Sequence, residues 1–298
     1  MMMKKNELTA LISLLDDPDE DIYSHIRDRL LSIGFPVIPA LEGAWEQSFD
    51  TLIQKRIEDI IQKIQFNNLA IEVEKWMTSE QDLLKGALLI ARYQYPDLNE
   101  DTINKQISQM RQDVWLELND NLTALEKVKV INHIIFDVHN FSGNTANFHA
   151  PQNSYINIVM ESKKGNPLSL SILYTIIAQS LGIPIYGINL PERFIVAYKD
   201  EYPFSPVFKG GFGANVLFYI NPFNKGSVFS KKEVAAFLKQ LNLEPRALYY
   251  EPCSNAEIIK RLVRNLISSY EKLAYPDKVK ELNLLMEVLD GKHFKPKS

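Results

Sequence analysis

Reactive side chains are few in this chain of 298 residues: one cysteine, Cys253, and five histidines. A single cysteine excludes an intrachain disulfide and a cysteine-rich zinc site. His133 and His139 stand six positions apart, not the three or four that place two ligands on one helix face, so no metal is expected. The polar residues between Asn153 and Asn221 are of another kind. Asn153, Ser154, Asn166, Ser169 and Asn221 carry uncharged hydrogen-bonding groups, and Arg193 adds a fixed cation with a fork of donors. Such a set suits a carboxylate or a phosphate better than proton transfer, because a guanidinium keeps its proton to a pH above ~12. Competing roles are local backbone capping for Asn153 and Asn166 and pairing with Glu192 for Arg193. Ser169 needs a base to become a nucleophile, and His149 in "NFHAPQNS" is the nearest imidazole along the chain. Cys253 reads as structural. "GGFG" at 210–213 is a poor phosphate loop, since no helix follows it.

The polar groups around Ser169 sit in "KKGNPLSLSILYTIIAQSLGIPIYGINLPERFIVAYKD", which predicts a loop, a buried helix over about 169–181, a tight turn at Gly182 and two strands. "VLFYIN" predicts a third strand, and "FKGGFGAN" a hairpin connection before it. The rest is helical in pattern. Leu8, Leu11, Ile12, Leu14 and Leu15 make one apolar face; Asp19 caps a second helix that Gly34 ends; a third starts at "FPVIPALEGAW". "EQDLLKGALLIARYQYPDL", "NEDTINKQISQMRQDVWLEL" and "LTALEKVKVINHIIFDVHN" follow, the last with a core stripe of Leu125, Val128, Ile131, Ile135 and Val138. Ser254 caps a helix with Ile258, Leu262, Leu266 and Tyr270 on one face, and "DKVKELNLLMEVLDG" supplies its antiparallel partner. The tail "KHFKPKS" reads as disordered.

Composition narrows the function classes. With 46% hydrophobic and 23% charged residues the chain reads as globular. A net charge of -4, with no basic stripe interleaved with aromatics, argues against nucleic acid. No window approaches a membrane span, and Glu7 interrupts the short apolar stretch behind Lys4 and Lys5, so the expectation is a cytoplasmic protein.

Taken in order, "GALLIARYQYPDLN", "FSGN", "NSYINIVMESKKGNPLSLSILYTIIAQSLGIPIYGINLPERFIV" and "FYINPFNKG" resemble the SirB-type transglutaminase-like family over about residues 66–250. The resemblance implies an α+β, predominantly helical fold: a transglutaminase-like core, with a central helix packed on a small antiparallel sheet. Residues 1–65 resemble HEAT-repeat helices, and 251–298 a tetratricopeptide-like helical hairpin with a basic tail. In active members a cysteine opens the central helix, a histidine begins a following strand and an aspartate ends the next. Carried over, these positions fall on Pro167 (with Ser169 the only nearby nucleophile), Arg193 and Asn221, and the resemblance implies that all four converge on one cleft. Proline has no reactive group, arginine cannot act as a base, and asparagine cannot stabilise an imidazolium by charge. Two functions follow as expectations. One is a non-catalytic scaffold or regulatory binding protein, without cofactor, that meets a protein partner through its helical flanks or its cleft. The other is an amide hydrolase of altered chemistry with Ser169 as nucleophile.

Overall fold

The computed structural model describes residues 5–147, 150–200 and 211–296. The chain falls into two compact units, 1–75 with 291–298, and 76–290. No helix among the described residues is long and apolar enough to cross a membrane.

The first unit is all helical: α1 (Lys5–Ser13), α2 (Glu20–Ile33), α3 (Ile38–Gln47) and α4 (Thr51–Met77), which runs past residue 65 without a break. Asp19 caps α2 by accepting from the amides of Asp21 and Ile22, and Gly34 ends it at a φ of 75°. Leu15, Leu30, Leu41, Ile57 and Ile60 form its core. Arg56 is buried on α4 and donates to the carbonyls of Leu15 and Asp17 and to Glu20, so one cation pins the turn that "DDPDE" makes. The basic tail is described as far as residue 296 and makes contacts with α4, which differs from the disorder expected of a chain end. His293 meets Glu74, and the Phe294 ring packs edge-on against Phe66 at 6.2 Å.

The second unit has α5 (Leu83–Gln94), α6 (Glu100–Glu117), α7 (Ala124–Asn132), a π-helical turn (His133–Val138) and β1 (Ser142–Gly143). It continues through α8 (Ile156–Ser162), β2 (Lys164–Gly165) and α9 (Pro167–Ser180) into β3 (Ile185–Ile188), β4 (Ile195–Lys199), β5 (Val216–Asn221) and β6 (Ser227–Phe229). α10 (Lys231–Gln240), α11 (Asn255–Lys272) and α12 (Pro276–Leu289) close it. The antiparallel sheet has the order β3-β4-β5-β6, and β1 and β2 form a separate parallel pair. α9 is mostly apolar and largely enclosed; Leu173, Tyr174 and Ile177 are fully buried, and Gly182 follows at a φ of 70°.

One face of the sheet carries α9. On the other, Ile188, Ile195, Ala197 and Tyr219 pack with Val234 and Leu238 of α10. The stripe expected along α7 holds for Val128, Ile131 and Ile135, but Leu125 and Val138 are exposed. The π-helical turn explains Val138: its wider winding has carried the chain off the α-helical stripe by the end of the turn.

Candidate functional site

α9 begins in a lattice of buried polar groups. Asn166 is its N-cap and Pro167 its first residue, where a missing N–H costs nothing. The Asn166 Oδ1 accepts from the Ser169 amide at 2.9 Å, and the Ser169 Oγ accepts from the Asn166 amide at 3.0 Å and donates to the Asn166 carbonyl at 3.3 Å. The Ser169 hydroxyl is 1% exposed and fully engaged with backbone. Gly165 is required beside it, because a Cβ there would stand 2.6 Å from the Ser169 Oγ. Asn166 Nδ2 donates to Ser154 Oγ at 2.9 Å. Asn144 Nδ2 donates to Asn153 Oδ1 at 2.9 Å, and Asn153 Nδ2 donates to the Asn147 carbonyl at 2.5 Å. The motifs "FSGN", "NS" and "GNPLS" therefore hold one another.

A cavity of about 520 Å³ opens at this point. Ser154, Asn166, Pro167 and Leu168 line one part of it, and Glu192 and Phe194 another. α11 supplies the remainder with Arg261, Asn265, Ser268, Ser269 and Lys272. No cysteine or histidine is among the described lining residues. His149, the imidazole that sequence places nearest Ser169, lies outside the described residues.

Of Pro167, Ser169, Arg193 and Asn221, Pro167 is the one among the described cavity-lining residues. Pro167 lines the cavity and Ser169 lies buried beneath it. Arg193 is exposed, with its guanidinium 4.6 Å over the ring of Phe237 on α10. It precedes β4 and lies against α10, and no acid among the described residues pairs with it. Asn221 is in step with Tyr219, on the α10 face, and its Oδ1 caps the turn Pro222–Asn224 through the Asn224 amide at 3.4 Å. A turn leads into β4. Glu192 adopts a φ of 57°, the Arg193 amide donates to the Pro191 carbonyl at 2.7 Å, and the strand then enters with Phe194 towards α9. A step of one residue exchanges sheet faces.

A sequence profile of the transglutaminase-like superfamily matches residues 101–264, more than half of the chain. The chain belongs to the transglutaminase-like superfamily. This transglutaminase-like chain is 30% identical to a "UPF0162 protein" of Xylella fastidiosa over 211 residues, 69% of either protein. A "UPF0162 protein" of Vibrio cholerae is 23% identical over 53% of each chain. Human "F-box only protein 21" is 28% identical over 142 residues, which are 46% of this chain and 21% of that protein. No solved structure matches.

Five cavity residues on α11 escaped the reading of the sequence: Arg261, Asn265, Ser268, Ser269 and Lys272. Their signal is the spacing Arg261, Asn265, Ser268, Lys272, a polar stripe of period 3.6 beside the apolar face of α11. Cys253 is structural, as expected. Its Sγ donates to the Gly187 carbonyl at 3.2 Å, and burial pushes the thiol up to about 12. At pH 8 about one molecule in ten thousand then carries the thiolate, the form that reacts. Iodoacetamide is expected to label Cys253 far more slowly in the native protein than in denaturant; equal rates would contradict this burial.

Proposed function

We propose that this chain is a SirB-type member of the superfamily that binds rather than cuts: a non-catalytic scaffold or regulatory protein. The observation that carries the reading is the start of α9. Where active members place a nucleophile, Pro167 forms the cavity wall, and the nearest hydroxyl, Ser169, is buried and bonded to the Asn166 backbone. A serine so held has its hydroxyl spent on the Asn166 backbone, with no base against it among the described residues. The amide-hydrolase alternative loses support on the same ground. The helical ends, HEAT-like over 1–65 and a hairpin over 251–298, offer surfaces for a protein partner. Supporting that role, Phe49 at the turn between α3 and α4 is 99% exposed, and Leu52 beside it is also exposed.

The test is an amide-hydrolysis assay together with an active-site thiol probe. The wild type is expected to show neither cleavage nor labelling. The Pro167→Cys, Arg193→His, Asn221→Asp variant is expected to stay inactive as well, because of the three positions Pro167 is the one among the described cavity-lining residues. Wild-type cleavage abolished by Ser169→Ala would favour the hydrolase; cleavage that survives it would place the chemistry elsewhere.

A further inference from the structure

The α11 wall of the cavity holds a cation in an unfavourable place. Arg261 is half-buried, and its one hydrogen-bond partner among the described residues is Asn189, whose Oδ1 accepts from Nη1 at 3.0 Å. No carboxylate among the described residues pairs with it. Burial, and then the like charge of Arg264, pull its pKa down. A guanidinium withdrawn from water without a counter-ion is costly to keep. An anion arriving in the cavity would offset that cost.

The lining also indicates which anion. Among the described lining residues Arg261 and Lys272 contribute two positive charges and Glu192 one negative, a net +1. This matches a monoanion and would leave a phosphate dianion partly uncompensated. A planar carboxylate fits the guanidinium fork, and the amide of Asn265 and the hydroxyl of Ser268 stand on the same helix face as further donors. Pro167, Leu168 and Phe194 form an apolar patch in the wall beside the uncharged polar Ser154 and Asn166, and the cavity is of a size that encloses far more than a carboxylate. Glu192 supplies an acceptor for N–H groups.

We propose that this cavity receives the C-terminal carboxylate of a peptide, held by Arg261, with the last aliphatic side chain against Pro167, Leu168 and Phe194. The proposal rests on the reading that the site binds without cutting, and it names the ligand. A free aliphatic acid presents the same carboxylate, so the test separates the two sources.

Isothermal titration of the full chain would use a pool of N-acetyl tripeptides ending in Leu, Ile or Val with a free carboxylate, the same pool as C-terminal amides, N-acetyl-leucine, and inorganic phosphate. The free-acid pool is expected to bind at least about tenfold more tightly than the amides or phosphate, as a charged hydrogen-bonded contact warrants. Arg261→Gln is expected to remove that difference. Its ligand-free melting temperature should equal or exceed that of the wild type, which distinguishes lost recognition from lost folding, and the exposed Lys272→Gln should weaken binding in the same direction. Equal binding of acid and amide pools, retention of the difference in Arg261→Gln, or no binding at millimolar peptide would each overturn the proposal. N-acetyl-leucine binding as tightly as the tripeptides would overturn the peptide source. Mass spectrometry of the titrated peptides keeps the two readings apart: cleaved peptide refutes the non-catalytic reading, whereas intact peptide that does not bind refutes this one alone.

Discussion

Gly226→Ala is expected to destabilise the second unit by about 3 kcal/mol or more. Two costs add. Gly226 has a φ of 69°, which L-residues adopt at a cost of roughly 1–2 kcal/mol. A Cβ there would also fall within the Asn132 side-chain amide. That amide cannot simply swing away. Its Oδ1 accepts from the Tyr174 hydroxyl at 2.9 Å, and its Nδ2 donates to the Gly226 carbonyl at 3.0 Å. Moving it would leave the hydroxyl of a fully buried tyrosine on α9 with a poorer partner, a loss of about 1–3 kcal/mol. Urea denaturation of Gly226→Ala, Asn132→Ala and the double variant would check this. In the double variant the added cost of the alanine should fall to about the backbone cost alone. A midpoint for Gly226→Ala within error of the wild type would show that the loop after β5 yields freely.

Leu173→Ala is expected to cost about 2–5 kcal/mol, and Leu173→Met less than about 1.5 kcal/mol. Leu173 is 0% exposed in α9, which is enclosed by the sheet on one side and by α5, α6 and α8 on others. Its surroundings come from several elements and are poorly placed to collapse into the vacated volume, so the cavity term adds to the lost transfer energy. Calorimetric or urea midpoints for the pair would decide it. Equal effects of Ala and Met would mean that the site does collapse.

Much of this architecture is legible in the sequence, and the failures have physical causes. The central helix is plain from its largely apolar run ending in "LGIP", and β3, β4 and β5 from their β-branched and aromatic residues. β6 spans three residues and the β1–β2 pair two each, too short for any alternation to register. Polar residues were harder to place than apolar ones. Asn153, Ser154, Asn166 and Ser169 do gather at the start of α9, but the structure engages them with one another and with backbone. The family's motif sets Arg193 of "PERF" at the histidine position, and the positive-φ residue just before it, Glu192, is a backbone feature that the motif does not announce. Conversely, the polar stripe on α11 looks like a solvated helix face until the fold sets it against Pro167 and Phe194.

The position of α11 also bears on how the chain folds. It completes the cavity and contacts α5, and the hydrogen bond from Tyr270 to Gln94 spans 176 positions. Contacts of such sequence separation require a long loop to close before they return any energy, and they slow the search for the native state. A collapsed intermediate in which α9 has already met the sheet, but α11 has not yet docked, would lack Arg261 and the wall around it. Any ligand of the cavity would therefore ignore partly folded forms and act on the last docking step, chiefly by slowing the release of α11 from the finished structure.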